Sequence, residues 1–211
     1  MTPASQLALF DFDKTLVSRD SFRLFGNLGA QSAVRRATLL AYAVLAKLGT
    51  FDNRRYKELV LDAVWCGRDQ EEQQLLLDTL NSAMGDLAID SAWERLHQHL
   101  GQQDGVAVLS ASPEFYLAPY LASVSSEIEV HGSQVVVGED GVHVDNLYRE
   151  RKAARARQVI ERRRPERVVV YTDHRDDIAL MSLADEVVLV RPTGATLSAV
   201  RNAGISFETL P

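Results

Sequence analysis

Cysteine is almost missing from this chain of 211 residues, in which Cys66 is the single one. One cysteine excludes an internal disulfide and favours a reducing compartment. The thiol lies in LDAVWCG, whose apolar residues recur at helical spacing. We therefore expect a buried structural thiol rather than a nucleophile.

Long hydrophobic runs and a secretory signal are also missing. The first residues, MTPASQ, are neither basic nor followed by a long apolar stretch. The stretch most like a membrane segment, ATLLAYAVLAKLG at 37–49, is well short of the roughly 20 residues that span a bilayer. We expect a cytoplasmic protein, for which contact with a membrane surface stays open.

An excess of positive charge is absent as well. The formal net charge is −6, which argues against nucleic acid as the main partner because such binding rests on Lys and Arg at phosphates. Nine Arg and Lys residues lie between positions 149 and 167, but glutamates are interspersed among them. That pattern is typical of a solvated helix face, so no nucleic-acid partner is expected.

The sequence does contain an alternation of apolar strands with helices. Residues 7–13 predict a short buried strand, and residues 18 to about 100 show helical spacing of apolar residues almost throughout. Beyond residue 105, β-rich runs such as VAVLSAS (106–112) and RVVVYTD (167–173) alternate with helices. Continuous apolar strands of this kind indicate a parallel sheet covered on both faces.

The helical segment is far too long to be a single crossover helix, so we predict that it is an inserted cap. The predicted fold is α/β, with a core of residues 1–17 and 103–211 and a helical cap of residues 18–102. The other predicted strands are 127–133, 134–144 with a turn at 138–141, and 186–190 as the last; the other predicted helices are 113–124, 150–164 and 176–184.

Polar side chains stand where several predicted strands end. Asp11 and Asp13 end the first strand, Ser110 ends the second, and Asp173 ends the strand at 167–173. Lys152 lies near the start of a helix that precedes this last strand. Ligands of open α/β sheets bind beyond the carboxyl ends of the strands, so we expect these side chains to meet there.

The chemistry of this set is that of a phosphoryl site. Carboxylates gathered at one sheet edge need a cation, and oxygen-only ligation suits Mg²⁺. A hydroxyl and an ammonium beside that cation make a site for a dianionic phosphoryl group. One aspartate can then attack phosphorus, while a second acts as proton donor to the leaving alcohol and later as base for water.

The second acid after the later strand is open between two neighbours. Asp176 and Asp177 follow Asp173 by three and four residues. The four-residue offset favours Asp177, whereas Asp176 could equally cap a helix.

DFDKT, SAS, the downstream Lys152 and YTDHRDD resemble, in order, the four motifs of the haloacid dehalogenase superfamily of phosphohydrolases. The resemblance covers nearly the whole chain and places the helical insert where that superfamily has its cap. LSASPEFYLAPYL and DFDKTLVSRDSF are similar to subfamily IB, which includes phosphoserine phosphatases and bacterial enzymes related to phosphatidylglycerophosphatase C. SASPEFYL and SRDSF are most similar to the last type. The resemblance implies a Rossmann-like core with a C1-type cap.

Roles for individual residues also follow from the resemblance. Asp11 would be the nucleophile, Asp13 the general acid/base, and Thr15 would steady the loop. Mg²⁺ is the implied cofactor, for phosphomonoester hydrolysis through an aspartyl-phosphate. Lys14 and His174 depart from the family pattern, which often has glycine at the first position and usually serine or glycine at the second. The residues implied to bind phosphate are Thr15, Ser110, Ala111 and Lys152, and those implied to bind metal are Asp11, Asp13, Asp173 and Asp177.

Substrate choice is expected to reside in the insert. Its stretch at 21–49 can simply pack the cap, or it can present an amphipathic surface on which Arg35, Arg36 and Lys47 flank apolar helix. The second arrangement would suit a lipid phosphate at a membrane surface. The residues expected to line the cap-side entrance are Phe22, Arg23 and Phe25.

The expected function is a Mg²⁺-dependent phosphomonoester phosphatase. Its substrate is open between a lipid head-group phosphate, such as phosphatidylglycerophosphate, and a small phosphate such as phosphoserine. Two alternatives are a receiver-like phospho-acceptor domain and an inactive binding protein on the same fold. The large insert and the nucleophile on the first strand argue against the former, and the intact acids argue against the latter. The oligomeric state stays open.

Overall fold

The computed structural model describes residues 6–211, so the first five residues of the predicted core segment 1–17 lie outside the described residues. The strands are β1 Gln6–Phe10, β2 Gly105–Pro113, β3 Ile128–Gly138, β4 Gly141–Asp145, β5 Arg167–Thr172, β6 Glu186–Val190 and β7 Glu208–Leu210. The helices are α1 Ser21–Gly29, α2 Ala33–Lys47, α3 Asn53–Val64, α4 Gln70–Gly85, α5 Asp90–Gly101, α6 Glu114–Val124, α7 Glu150–Arg163, α8 Ile178–Met181 and α9 Gly194–Asn202, with a 3₁₀ turn at Arg175–Asp177.

The strands form one sheet in the order β4-β3-β2-β1-β5-β6-β7. Neighbouring strands are parallel except β3 and β4, which form an antiparallel hairpin. In the centre, Leu9 of β1 pairs with Ala107 of β2 on one side and Val170 of β5 on the other. The predicted α/β fold with a mostly parallel sheet is thus confirmed, and the carboxyl end of β1 lies between those of β2 and β5.

Two buried clusters cover the two faces of the sheet. Successive strand residues point to opposite faces, so Leu7 and Leu9 pack on one side while Ala8 and Phe10 pack on the other. The first side is closed by helices α7, α8 and α9, and the second by α6 together with helices of the long insert. Leu7 to Phe10 of β1 are therefore fully buried, and the polar groups that β1 brings to the site follow its carboxyl end.

Helices α1 to α5 all lie between β1 and β2, in the segment predicted to be helical. Four of them begin at a capping side chain that accepts a hydrogen bond from a backbone N–H three residues on, namely Asp20, Ser32, Asp52 and Asp69. Across residues 6–211, no helix has both the length and the apolar character needed to cross a membrane.

Two strands differ from their sequence predictions. The strands predicted at 127–133 and 134–144 are one continuous β3 plus the short β4, because Gly132 does not break the strand. Gly132 instead lets β3 approach α6 so closely that a Cβ there would lie 2.6 Å from the Glu114 backbone. β6 is not the last strand, because β7 pairs with it in parallel; β7 has only three largely exposed residues and so lacks an apolar signal.

Two smaller predictions also need correction. The helix predicted at 176–184 is a 3₁₀ turn followed by the four-residue α8. Cys66 is half-buried at the edge of the core rather than fully buried. Burial raises the pKa of its thiol, which is the opposite of what activates a cysteine nucleophile.

Candidate active site

The carboxyl ends of β1, β2 and β5 bring the predicted site residues together around one cavity of about 530 Å³. The backbone N–H of Asp11 donates to Tyr171 O of β5 at 2.9 Å, which fixes the chain just beyond β1. The cavity is lined by nine of the predicted residues, namely Asp11, Asp13, Phe22, Arg23, Ser110, Ala111, Lys152, Asp173 and Asp177.

A tight turn follows Asp11. The backbone N–H groups of Thr15 and Leu16 both donate to Phe12 O, at 3.2 and 2.8 Å. Lys14 lies in this turn with φ of +61°, a left-handed conformation that glycine adopts without strain. A glycine at this position, as the resemblance led us to expect, would have a backbone reason, and Lys14 adopts the same conformation at the cost of some strain.

Asp11 is held by two side chains. Lys152 Nζ donates to Asp11 Oδ1 at 2.6 Å, and Thr15 Oγ1 donates to Oδ2 at 3.2 Å. The same ammonium donates to Asp177 Oδ2 at 2.7 Å, and Thr172 Oγ1 donates to that oxygen as well. Lys152 thus bridges two carboxylates while being only 3% exposed.

Asp176 and Asp177, left open by the sequence, point to different surroundings. Asp177 is buried in the bridge with Lys152. Asp176 accepts hydrogen bonds from Tyr148 and Arg149 at the outer side of the cavity. His174 Nδ1 accepts from the backbone N–H of Asp176 at 3.2 Å, so this histidine caps the 3₁₀ turn. A capping side chain is what a serine would supply at the same place.

Asp13 is held by groups from α1 and β2. The backbone N–H of Ser21 donates to Asp13 Oδ1 at 2.7 Å, and Ser112 Oγ donates to Oδ2 at 2.6 Å. The Ser21 hydroxyl lies 3.0 Å from both Ser112 Oγ and the Tyr116 hydroxyl. Ser21, Ser112 and Tyr116 were missed by sequence reasoning, although Ser112 is the second serine of SAS.

Burial raises the pKa of all three central aspartates. For Asp11 the charge of Lys152 opposes this rise. For Asp13 burial, helped by the charge of Asp20, raises the pKa to about 7, against hydrogen bonds from Ser112 and the Ser21 backbone. For Asp173 burial and the nearby charge of Asp11 raise the pKa to about 7. The site therefore concentrates more negative charge than its own cations neutralise.

The groups that could bind a metal ion here are the carboxylates at the strand ends. Within residues 6–211, no three His, Cys, Asp or Glu side chains stand in a ready ligand arrangement. Lys152 lies instead between Asp11 and Asp177. Asp173, however, lines the cavity without accepting a hydrogen bond from any group in the described part of the chain. Buried carboxylate oxygens short of positive charge fit the chemistry of Mg²⁺, although they are not arranged around it.

Lys57 of α3 is a cavity residue that the sequence did not single out. Its Nζ donates to Ala111 O and, at 2.7 Å, to Asn146 Oδ1. The side chain is 4% exposed and lines the cavity. It comes from the helical insert, whereas Lys152 comes from the core segment. Burial lowers the pKa of Lys57 to about 8, against the charges of Asp13 and Asp20. No motif marks this lysine in the sequence.

Two predicted residues do not reach the cavity. Phe25, expected at the entrance, is fully buried because α1 turns it toward Phe115 and Tyr116 in the core. Thr15, expected to bind phosphate, is fully buried too and contacts Asp11 instead. Phe22 and Arg23 do line the cavity.

Several solved protein structures are similar in fold to this chain. A protein of unknown function from Bordetella pertussis Tohama I has a TM-score of 0.81 at 16% identity, covering 97% of this chain and 98% of that one. A hydrolase from Salmonella enterica serovar Typhi, described as a member of the HAD family, has a TM-score of 0.73 at 12% identity, covering 99% of this chain and 68% of that one. A phospho-aspartyl intermediate analogue of phosphoserine phosphatase gives 0.67 at 13% identity, covering 98% and 93%.

These likenesses show a shared fold. A search of curated proteins found none that matches the chain. The model of the haloacid dehalogenase-like hydrolases matches residues 8–182, which is most of the sequence and includes every aspartate described above. The chain belongs to the haloacid dehalogenase-like hydrolase family.

Proposed function

We propose that the protein is a Mg²⁺-dependent phosphomonoester phosphatase that works through an aspartyl-phosphate. The observation that carries the proposal is the pair of aspartates beyond β1. Asp11 lies against the Lys152 ammonium at 2.6 Å, and Asp13 is held two residues later with a pKa raised to about 7. Membership of the hydrolase family supports the reaction class.

In this mechanism Asp11 attacks phosphorus and the bond between phosphorus and the ester oxygen breaks. Asp13 gives its proton to the departing alkoxide, which leaves as an alcohol. Asp13 then takes a proton from water, whose oxygen attacks the phosphoryl group and releases Asp11 and inorganic phosphate. A carboxyl whose pKa lies near 7 suits both proton transfers at neutral pH. One solved structure of similar fold is a phospho-aspartyl analogue of phosphoserine phosphatase, in line with this route.

Phosphate binding is assigned to the groups around Asp11. Lys152 supplies a buried positive charge, Ser110 a hydroxyl, and Ala111 its backbone at the end of β2. Oriented donors of this kind stabilise charge that develops on phosphoryl oxygens. Thr15 would orient Asp11 rather than touch phosphate.

Mg²⁺ would be held by Asp11, Asp173 and Asp177, whose carboxylates face the cavity. When bound it supplies positive charge against the phosphoryl oxygens and the clustered carboxylates. The sequence groups Asp13 with these ligands as well, and it stays with them in this proposal. Both of its oxygens accept hydrogen bonds, from Ser21 and Ser112, as both oxygens of Asp11 do from Lys152 and Thr15.

We further propose that residues 18–102 form a cap over a core of 1–17 and 103–211. In support, Lys57 reaches from α3 to the end of β2, where Ala111 O accepts its hydrogen bond. Phe22, Tyr56 and other residues of α1 to α3 line the cavity together with the aspartates. A substrate would therefore be enclosed between the two segments.

The preferred substrate is a lipid head-group phosphate such as phosphatidylglycerophosphate, with phosphoserine second. Apolar groups of the insert, including Phe22, Ala43 and Phe51, line the same cavity as the phosphate-binding groups. A ligand with a phosphate and an apolar portion suits such a lining. Structures of similar fold include a substrate complex of phosphoserine phosphatase, which supports the soluble alternative.

The test is hydrolysis by the purified protein of an aryl phosphate, then of phospholipid and soluble phosphomonoesters, with and without Mg²⁺. Asp11→Asn should abolish activity because the nucleophile is lost, while Asp176→Asn, outside the bridge with Lys152, should retain most of it. Activity surviving in Asp11→Asn would sink the mechanism. A long-lived phosphoprotein without turnover would favour the receiver-like alternative, and no hydrolysis at all would favour an inactive binding protein.

A further inference from the structure

Helix α2 carries an apolar face that points to solvent. At about 100° per residue, Val34, Leu40, Val44 and Leu48 fall on one side of the helix. These side chains are 76%, 68%, 48% and 75% exposed, whereas Leu39 is the one buried residue of the helix. The solvent side of a surface helix is normally polar. The packed side of α2 and its solvent side are therefore both apolar.

The charges of this region are positive. Arg35, Arg36 and Lys47 are the charged residues of α2; at that spacing Arg36 and Lys47 lie along one edge of the apolar face, whereas Arg35 lies on the other side of the helix. Between positions 31 and 56 there are five basic residues and one acidic residue, a net charge of +4 in a chain whose net charge is −6. The exposed apolar face of α2 thus carries basic residues along one edge, in a chain that is acidic overall.

The same helix reaches the active-site cavity. Ala43, Ala46 and Lys47 of α2 and Phe51 just beyond it line the cavity that contains Asp11. At 100° per residue, Ala43 and Ala46 lie on the side of α2 away from the apolar face, and Lys47 lies at its edge. A surface that covered the apolar face would therefore be separated from the cavity by the width of one helix.

We propose that α2 docks the protein on an anionic lipid bilayer, with the helix lying in the plane of the interface. An exposed apolar face with basic neighbours is the chemistry that binds such surfaces. With 15 residues, α2 is about 22 Å long and too short to span a bilayer. Docking would hold the cavity about one helix diameter from phosphate head groups, and only the use of those head groups as substrate rests on the proposed phosphatase activity.

A bilayer fits this face better than a second copy of the chain. In a two-fold dimer the same patch appears on both partners, so the basic border of one α2 would face that of the other. Like charges at that distance repel, whereas anionic lipid head groups complement Arg36 and Lys47. The apolar residues would enter the acyl boundary of the membrane.

The experiment measures binding of the full chain to sedimented vesicles of phosphatidylcholine mixed with phosphatidylglycerol, and to vesicles of phosphatidylcholine alone. Leu40→Gln/Leu48→Gln removes apolar groups from the face, and Leu75→Gln is the matched control, because Leu75 is a 63% exposed leucine of α4. We expect binding to the anionic vesicles, weakened about tenfold per substituted leucine and unchanged in the control. Hydrolysis of a soluble aryl phosphate should be equal in all three proteins.

The outcomes separate the two proposals. Absence of vesicle binding, or equal binding by Leu40→Gln/Leu48→Gln, would overturn docking even if the protein is a phosphatase. A dimer in sedimentation analysis that the double substitution dissociates would overturn it too, in favour of contact between copies. Vesicle binding that depends on the two leucines, without any hydrolysis, would support docking while the phosphatase proposal fails.

Discussion

Lys57 is a buried cation that the insert contributes to the cavity, and its environment explains why the sequence does not reveal it. It lies in α3 among residues with ordinary helical spacing, and its partners Ala111 and Asn146 are 54 and 89 residues away. Such contacts depend on how the insert folds back over the sheet. Ser112 is hidden for a similar reason, since it reaches Asp13 only because β1 and β2 pair side by side in the folded sheet.

Lys57→Met should raise the KM for a phosphomonoester about tenfold while lowering kcat less, because a buried ammonium near the phosphate strengthens binding. Lys47→Met is the comparison, since this exposed cation lines the same cavity and solvent screens its charge. Steady-state kinetics on both variants check the prediction. A Lys57→Met protein with unchanged KM and lower kcat would show that Lys57 acts only by holding Ala111 and Asn146.

At the scale of elements, what the sequence predicted well were the buried strands. β1, β2 and β5 are each predicted by an unbroken apolar run in the sequence. The polar residue that enters the site lies at or near the end of that run, as Asp11 and Ser110 do. Close approach between elements was not predictable. Gly132 lies inside the strand predicted at 127–133, and nothing in the sequence marks that its missing side chain is what lets β3 pack on α6.

Gly132→Ala should destabilise the protein by about 1–3 kcal/mol, because the new Cβ would lie 2.6 Å from the Glu114 backbone and β3 or α6 must move. Gly85→Ala is the control: it lies at the end of α4 with nothing within 4 Å of its Cβ position, and alanine favours helix there. Urea unfolding measures both. Equal stability of Gly132→Ala and wild type would contradict the tight contact.

Glu129 ties β3 to α7. Its hydrogen bond to His131, together with those from Arg162 and Arg163, holds the pKa of its carboxyl well below the usual range. Because the folded-state pKa is the lower one, the ionised form stabilises the fold. That contribution is complete above the unfolded-state pKa of about 4.3 and is lost as the pH falls below it.

Glu129→Gln should therefore lower the free energy of unfolding by about 1 kcal/mol near neutral pH, with the difference shrinking as the pH falls toward 3. Glu139→Gln is the control, since Glu139 is exposed and forms no ion pair within the described part of the chain. Urea unfolding at a series of pH values makes the comparison. A difference that grows on acidification would contradict this assignment.

At the scale of the whole molecule, the architecture predicted from the sequence agrees with the structure. The differences concern how individual elements pack against one another. The order of apolar strands was enough to predict a parallel sheet with a long helical segment after β1. It was not enough to place Phe25 in the core or β7 at the sheet edge. The helix face that α1 turns inward and the pairing of three exposed residues both depend on the assembled fold.

The central claim is that Asp11 carries the phosphoryl group during turnover. The direct measurement is acid quenching of the protein while it hydrolyses a phosphomonoester with Mg²⁺, followed by mass spectrometry of its peptides. The account predicts one phosphoryl group on the peptide that contains Asp11, and none in Asp11→Asn. A phosphoryl group on another residue, or turnover by Asp11→Asn, would contradict it.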